Sequence, residues 1–223
     1  MFVRDYMTRN PITVSPETTF PQAIKAIRNN KIRHLPVVDG NKLVGIIVEN
    51  DLLSNQPSKA TTLSVFEIYA LLDSLLVSQM MSKPVITVEG ECPIEEAARI
   101  MVDNKISCLP VMAGNDLVGI ITETDIFKSF VNVLGGKERG LRLTLRLPDE
   151  VGKLAAVSAK IAETGGNIVA VTSSSHGLEG GMRDVTIKEA GADQDILVPW
   201  LRSSGIQIID ICQCERYQTK LFE

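Results

Sequence analysis

The chain has 223 residues, a net charge of −4, and 44% hydrophobic and 22% charged residues, which are proportions typical of soluble globular proteins. This charge gives no basic footprint for a nucleic-acid backbone, whose binding needs clustered Lys and Arg. The first residues include Arg4, Asp5 and Arg9 where a signal peptide would be apolar, and no run is long enough to cross a bilayer. We therefore expect a cytoplasmic protein that binds neither nucleic acid nor membrane.

Four cysteines occur without a secretory signal, so we expect reduced thiols rather than a disulfide framework. Cys212 and Cys214 are spaced like half of a zinc site, but zinc takes four ligands, and the two histidines, His34 and His176, lie far away in sequence. The alternating faces of a terminal strand account for this pair better. No metal site is predicted.

The N-terminal half contains an internal repeat. Met7 to Asp51 aligns with Met81 to Asp125 at a constant offset of 74 positions without a gap, and close to half of the aligned residues are identical. In each copy a short β-prone segment precedes a helix with apolar residues at i, i+3, i+4 and i+7. Two strands joined by a Gly-containing turn follow, and a second helix begins near an Asp. The predicted unit is β-α-β-β-α.

One copy is too small to cover a three-stranded sheet, so we expect the two copies to pack around a pseudo-twofold axis, with paired ligand clefts along their seam. Between the copies, apolar residues at helical spacing and a capping box formed by Ser64 and Glu67 predict one ordered connecting helix. The expected boundaries are 1–58 for the first repeat, 59–79 for the connecting helix, 80–133 for the second repeat, 134–140 for a linker and 141–223 for a C-terminal domain.

The doubled motifs resemble the CBS domain pair, the regulatory module named after cystathionine beta-synthase, over roughly residues 1–133. The resemblance implies an adenine nucleotide (AMP, ADP, ATP or S-adenosylmethionine) as regulatory ligand, with Asp125 holding the ribose and Thr122 touching phosphate. The motifs are Met-Thr-Arg-Asn-Pro-Ile-Thr-Val from Met7, Leu35-Pro36-Val37-Val38, and Gly119-Ile120-Ile121-Thr122-Glu123-Thr124-Asp125.

The residue types of this last motif also allow a purely structural interpretation. Thr122 and Asp125 are close to a capping box, which would satisfy the orphan N–H groups of the first helical turn. The two interpretations are compatible, because a helix N-terminus attracts phosphate and a nearby carboxylate can accept ribose hydroxyls.

The first copy departs from the pattern because Val48 stands where the second has Thr122, although Asp51 is kept. Arg33 and His34, at positions that face phosphate or base in such modules, are candidates to compensate; the second copy has Ser107 and Cys108 there. The alternatives are a solvated loop for Arg33 and a satisfied edge histidine for His34. We therefore expect one good site and a weaker second one.

Ile12 and Ile86 begin the β-prone segments of the two copies. The resemblance implies that they offer apolar contact and backbone bonds to an adenine ring. Strand core is the alternative for both residues.

The order β-α-β-β-α-β predicted for residues 141–223 is the ferredoxin-like arrangement. The residues from Leu147 to Leu154, with Gly166-Asn167-Ile168, resemble the ACT domain, an amino-acid-sensing module. The resemblance implies an amino-acid site between two copies, with Gly152 on one side and Asn167 and Ile168 on the other. Alternatively, Gly152 relieves a tight turn and the domain only dimerises.

Two CBS repeats followed by ACT is the order of the acetoin-utilisation protein B family, which the whole chain resembles. This resemblance implies a bacterial regulator of small-carbon metabolism, and we expect a homodimer that acts on an unknown target protein. No nucleophile elbow, metal-binding helix or phosphate loop is present, so no catalytic residue and no catalytic cofactor is predicted. The alternative function is a non-binding dimerisation or interaction scaffold.

Overall fold

A computed structural model describes residues 1–54, 64–175, 177–178 and 180–214. The chain divides into two compact units, Met1–Phe127 and Lys128–Glu223. Within the described ranges, no helix is long and apolar enough to span a membrane. The start of the predicted connecting helix (59–63), His176 and the C-terminal residues 215–223 lie outside the described residues.

Both repeats have the predicted β-α-β-β-α order. In the second repeat the leading β element is a short strand parallel to the next, whereas in the first it is a single bridge from Val14 to Val37. The first repeat comprises α1 (Phe20–Asn30), β2 (His34–Asp39), β3 (Lys42–Val48) and α2 (Glu49–Ser54), after a short β1 (Thr8–Arg9). The second comprises β4 (Val88–Glu89), α5 (Ile94–Asn104), β5 (Cys108–Ala113), β6 (Asp116–Thr122) and α6 (Glu123–Val133).

The segments that lead into the two repeats are exchanged. β1 pairs antiparallel with β6 of the second repeat, with Thr8 opposite Ile120. Ser82, at the corresponding place in the second repeat, bridges Ile46 on β3 of the first. Both contacts obey the 74-residue offset, so the sequence repeat is also a structural pseudo-twofold. Each repeat pairs with a segment that leads into the other, and each has its own buried core, to which Val3 is added in the second repeat and Val77 in the first.

Two glycines allow the exchanged segments to approach closely. A Cβ atom on Gly119 would lie 2.5 Å from the sulfur of Met7, and one on Gly45 would collide with Met81 in the same way. The methionine that opens each repeat therefore packs on the glycine strand of the other repeat. This contact gives a physical reason why both the methionine and the glycine recur at the offset of 74 residues.

The connector differs from the continuous helix expected from its apolar spacing. It consists of α3 (Val65–Ser74) and α4 (Val77–Met80). The chain is extended between them because the Leu75 carbonyl accepts a hydrogen bond from the Phe20 N–H (2.8 Å) and Leu76 bridges Thr19. Tertiary pairing with the start of α1 therefore replaces the helical bonds there.

The capping box predicted at the start of the connector is confirmed. Both the N–H and the hydroxyl of Ser64 donate to the Glu67 carboxylate, at 2.8 and 2.7 Å. The Ser64 hydroxyl also accepts from the Glu67 N–H (3.4 Å), which begins α3. These bonds to Ser64 lower the pKa of Glu67.

The C-terminal unit has the predicted βαββαβ order, with an antiparallel sheet ordered β10-β7-β9-β8, which is the ferredoxin-like arrangement. The alternation predicted for its first strand is confirmed, because Leu141, Leu143, Leu145 and Leu147 are all buried in one core. That core includes residues of both helices. The elements are β7 (Gly140–Pro148), α7 (Lys153–Glu163), β8 (Asn167–Ser174), β9 (Met182–Ala190), α8 (Gln194–Ser203) and β10 (Gln207–Cys214).

Candidate functional site

Asp125 lies in the first turn of α6, directly after β6, and is 8% exposed. Its Oδ2 atom accepts hydrogen bonds from the Thr122 N–H (3.1 Å) and the Thr122 hydroxyl (2.8 Å). The carboxylate thus caps α6, as the structural interpretation of the motif predicts. The same bonds fix a carboxylate and a hydroxyl side by side at a helix N-terminus, where the backbone N–H groups favour anions.

Asp51 occupies the equivalent position in α2. Its Oδ2 atom accepts from the Val48 N–H at 3.0 Å, so the backbone half of the cap is reproduced. Val48 has no hydroxyl, so the side-chain bond that Thr122 makes has no counterpart. The two helix starts therefore share this backbone bond, and at the position of Val48 and Thr122 only the second has a hydroxyl that donates to its aspartate.

Two side chains of the first repeat reach across the seam, which is the boundary between the two repeats. The Nε2 atom of His34 lies 2.8 Å from the Ser107 hydroxyl, and the Arg33 guanidinium donates a long hydrogen bond of 3.4 Å to the Thr124 hydroxyl on α6. We expected Arg33 and His34 to compensate for Val48 in their own repeat. These bonds lie on the α6 side instead, so the two side chains add polar groups near Asp125.

The electrostatics of the seam differ between the two repeats. Burial lowers the pKa of His34, the neighbouring Arg33 lowers it further, and Asp125 partly opposes both effects. At the equivalent position, burial raises the pKa of Cys108 to about 12, with a smaller contribution from Glu123. At neutral pH the imidazole is therefore uncharged and the thiol is protonated, which makes Cys108 a poor nucleophile.

Ile12 and Ile86 are 40% and 38% exposed, so the alternative interpretation, that they are strand core, is wrong. They stand at matching positions on the two exchanged segments. Exposed apolar side chains beside polar groups are a usual feature of pockets that bind small molecules. The near-identical exposure in both repeats indicates that the repeat geometry sets it.

The three residues predicted for an amino-acid site do not come together in one chain. Gly152 precedes α7 with a φ of +90°, a conformation that favours glycine, and an added Cβ would meet no atom within 4 Å. Asn167 pairs with Ala190 at one end of β9, whereas Pro148, just before the Gly152 loop, pairs with Met182 at the other end. At about 3.3 Å per residue, these ends lie roughly 26 Å apart.

Metal binding finds no support in the described part of the chain. No group of three or more His, Cys, Asp or Glu side chains that could hold a metal occurs there. Cys212 lies on β10 with an exposed, free thiol, as expected for a terminal strand.

The profile of the CBS domain matches residues 3–58 and 77–132, which together make up half of the chain. The chain belongs to the CBS domain family. The two matches coincide with the two repeats, so the exchanged pair described above is a tandem CBS pair, as the doubled motifs predict.

Several known proteins are similar to part of this chain. Inosine-5'-monophosphate dehydrogenase of Korarchaeum cryptofilum is 37% identical over 123 residues, 55% of this chain and 23% of that enzyme. The uncharacterized protein MJ1404 of Methanocaldococcus jannaschii is 34% identical over 158 residues, 69% of this chain and 37% of that protein. The chain therefore spans well under half of these relatives.

Among solved structures, a protein of Vibrio cholerae provisionally named an acetoin utilization protein (AcuB) is similar. It is 35% identical with a TM-score of 0.52, and the match covers 62% of this chain and 96% of that chain.

Sequence reasoning missed the contacts that cross between the CBS repeats. It named His34 and Ser107 but did not pair them, and it did not single out Thr124. The Met and Gly of each repeat carried a signal for the exchange, since both recur at the same offset. Nothing in the linear pattern indicates which repeat each of them contacts.

Proposed function

We propose that this chain is a cytoplasmic regulatory protein whose CBS pair binds an adenine nucleotide on the Asp125 side of the seam. The bound state would be read by an unidentified metabolic partner, of the acetoin-utilisation type suggested by the family order. The protein would sense ligands without turning them over. A homodimer with a second, amino-acid ligand in the C-terminal unit completes the proposal.

The convergence of polar groups from both repeats beside Asp125 carries the proposal. Asp125 and Thr122 are held together by hydrogen bonds at the start of α6, and Arg33 reaches the same turn from the first repeat. A carboxylate accepts the two hydroxyls of a ribose, while a guanidinium and helix N–H groups suit phosphate. The Asp51 side has the carboxylate but lacks the hydroxyl, so we propose a weaker site there.

The adenine ring would lie against exposed isoleucine. Ile12 follows β1 along the chain, just before the chain enters the first repeat. β1 pairs with β6, the strand that leads to Asp125. This continuity favours Ile12 for the Asp125 side and Ile86 for the Asp51 side. Cys108, being buried and protonated, would contribute shape rather than charge.

An amino-acid site in the C-terminal unit would need a second copy. Gly152 and Asn167 lie at opposite ends of the sheet, and antiparallel pairing of two β8 edges would bring Asn167 and Ile168 of one copy towards Gly152 of the other. β8 is an edge strand, and its sequence from Asn167 to Ser174 has no charged residue to block such pairing. This geometry supports the proposed homodimer.

The nucleotide proposal is tested by thermal unfolding of the full chain with AMP, ADP, ATP and S-adenosylmethionine. A ligand at one hundred times its Kd stabilises the folded state by about 2.7 kcal/mol, which raises Tm. Asp125→Asn keeps an oxygen to accept from Thr122 but loses the charge that holds the diol, so it should abolish the rise. Asp51→Asn is the matched control and should retain most of it.

The scaffold alternative has one observation in its favour, namely that the Asp125 carboxylate already caps α6. If no adenosine compound changes Tm and isothermal calorimetry detects no heat, the capping role suffices and the scaffold is the better account. For the C-terminal unit, light scattering should give a dimer mass. Branched-chain and other amino acids should raise Tm, and Asn167→Ala should remove that effect.

A further inference from the structure

His34 stands at the junction of the two CBS repeats, where its imidazole bonds the Ser107 hydroxyl of the other repeat at 2.8 Å. We propose that His34 makes nucleotide binding proton-linked: it takes up a proton when an adenosine phosphate occupies the Asp125 side, so the protein reads pH together with nucleotide. This inference rests on the proposed function and adds a regulatory property to the same site.

The bond between His34 and Ser107 can persist in both protonation states. Neutral imidazole can accept at Nε2 from the hydroxyl, whereas imidazolium donates at Nε2 and the hydroxyl then accepts. A serine hydroxyl rotates to serve either role. Protonation of His34 therefore does not have to break its hydrogen bond to Ser107 or separate the two repeats.

The charges around His34 set the direction of the coupling. Arg33, next to it on the chain, disfavours a second positive charge, and Asp125 on α6 favours it. Asp51 holds the N–H of Val48, the residue opposite His34 on β3. Two further carboxylates begin the helices beside the seam, where the N–H groups of Glu49 and Glu123 bond the carbonyls of Arg33 and Ser107.

A bound phosphate changes this balance. A phosphate monoester brings roughly −1.5 to −2 charges at pH 7. Placed between Arg33 and the start of α6, it offsets the guanidinium and favours imidazolium. In the second repeat the equivalent residue is Cys108, which cannot gain positive charge, so the coupling belongs to one repeat.

Without ligand, the pKa of His34 lies below its ordinary value of 6.5. With phosphate it should rise, so between the two pKa values binding consumes a proton and affinity increases as pH falls. Each unit of difference between the two pKa values corresponds to about tenfold in affinity. We expect the ratio of the AMP Kd of His34→Gln to that of wild type to be larger at pH 6.5 than at pH 7.5, because comparing the two proteins at each pH separates the imidazole from the titration of the AMP phosphate.

Calorimetry of AMP binding to the full chain tests this coupling. Titrations at pH 6.5 in two non-phosphate buffers of different ionisation enthalpy give the number of protons taken up. His34→Gln keeps a polar side chain near Ser107 but cannot titrate. His176→Gln removes the other imidazole and serves as the control. Free AMP contributes the same protons in every titration, so the difference between proteins reports the imidazole together with its effect on the bound phosphate.

Wild type and His176→Gln should take up more protons than His34→Gln. Equal proton uptake in all three, with AMP bound, overturns the inference and leaves the nucleotide site intact. Absence of AMP, ADP and ATP binding to wild type overturns this inference, and if S-adenosylmethionine also fails to bind, the proposed function is overturned as well. If His34→Gln folds poorly, imidazole proton NMR of wild type decides, because the His34 resonance must titrate at higher pH when AMP is saturating.

Discussion

The backbone of the first CBS repeat recurs in the second almost bond for bond. The Phe20 N–H donates to the Leu75 carbonyl at 2.8 Å, and the Ile94 N–H donates to the Met1 carbonyl at 3.2 Å, each pair displaced by the same offset. Several side chains along the seam do not recur. Buried apolar positions and glycines are kept because packing requires them, while residues that line the clefts are free to differ.

This contrast makes the differences along the seam informative. Arg33 and His34 in one repeat correspond to Ser107 and Cys108 in the other, and Val48 corresponds to Thr122. All of the polar additions lie on the α6 side: the bonds of Arg33 and His34 run across the seam, and the bond from Thr122 to Asp125 lies within the second repeat. A symmetric scaffold thus presents two chemically different sites, and the predictions below test where the symmetry holds and where it fails.

The largest effects should be equal in the two repeats. Leu35 and Leu109 occupy matching, fully buried positions in their cores. Truncating either to Ala should cost about 2–5 kcal/mol in the free energy of unfolding, because a cavity is left in each core. Denaturant unfolding followed by circular dichroism measures this. A difference of more than about 1.5 kcal/mol between them would show that the cores are not equivalent.

A smaller change in the free energy of unfolding should result from crowding the contacts between each leading segment and the other repeat. Gly119→Ala places a methyl group against Met7, and Gly45→Ala places one against Met81. Each substitution should cost about 1–3 kcal/mol through overpacking, measured by the same unfolding experiment. Combining Gly119→Ala with Met7→Ala should recover part of the loss, while Gly119→Ala with Met81→Ala should not. Recovery by the wrong methionine would contradict the exchange.

Much of this architecture could be predicted from sequence because its causes are local or periodic. The alternation from Leu141 to Leu147 and the bond between Ser64 and Glu67 involve neighbours along the chain, and both predictions are confirmed. The break at Leu75 could not be predicted, because pairing with α1 outweighs the helical pattern of the connector.

The contacts of the candidate site likewise include some that sequence spacing predicts and some that it does not. Thr122 and Asp125 were linked by their spacing, which a helix start turns directly into a contact. The bonds of Arg33 and His34 depend on how the repeats exchange segments, and no linear pattern encodes that choice. The separation of Gly152 from Asn167 likewise follows only from sheet register.

Removing the Thr122 hydroxyl, or adding one at Val48, should make the two helix starts chemically alike. Thr122→Val removes the bond from the hydroxyl to Asp125 and should cost about 1 kcal/mol in the free energy of unfolding. Val48→Thr gives the first repeat the hydroxyl that Thr122 supplies in the second and should be neutral or stabilise slightly. With AMP, the first variant should weaken binding at the Asp125 side, and the second should strengthen the weaker site, both measured by calorimetry.

The smallest expected effect concerns the acid response of the seam and needs no ligand. Because the pKa of His34 is lowered in the folded chain, the unfolded chain binds the proton more readily. The resulting stability is fully present above pH 6.5 and is lost as the pH falls through that value towards the folded pKa. Tm measured between pH 5.0 and 7.5 should therefore decrease more steeply with falling pH for wild type than for His34→Gln.

His34→Cys, which copies the second repeat, should flatten the profile as well, since its thiol does not titrate in that range. Parallel profiles for all three proteins would mean that the imidazole is solvated like an ordinary surface histidine, and the asymmetry of the seam would then lie in Arg33 and Thr122 alone.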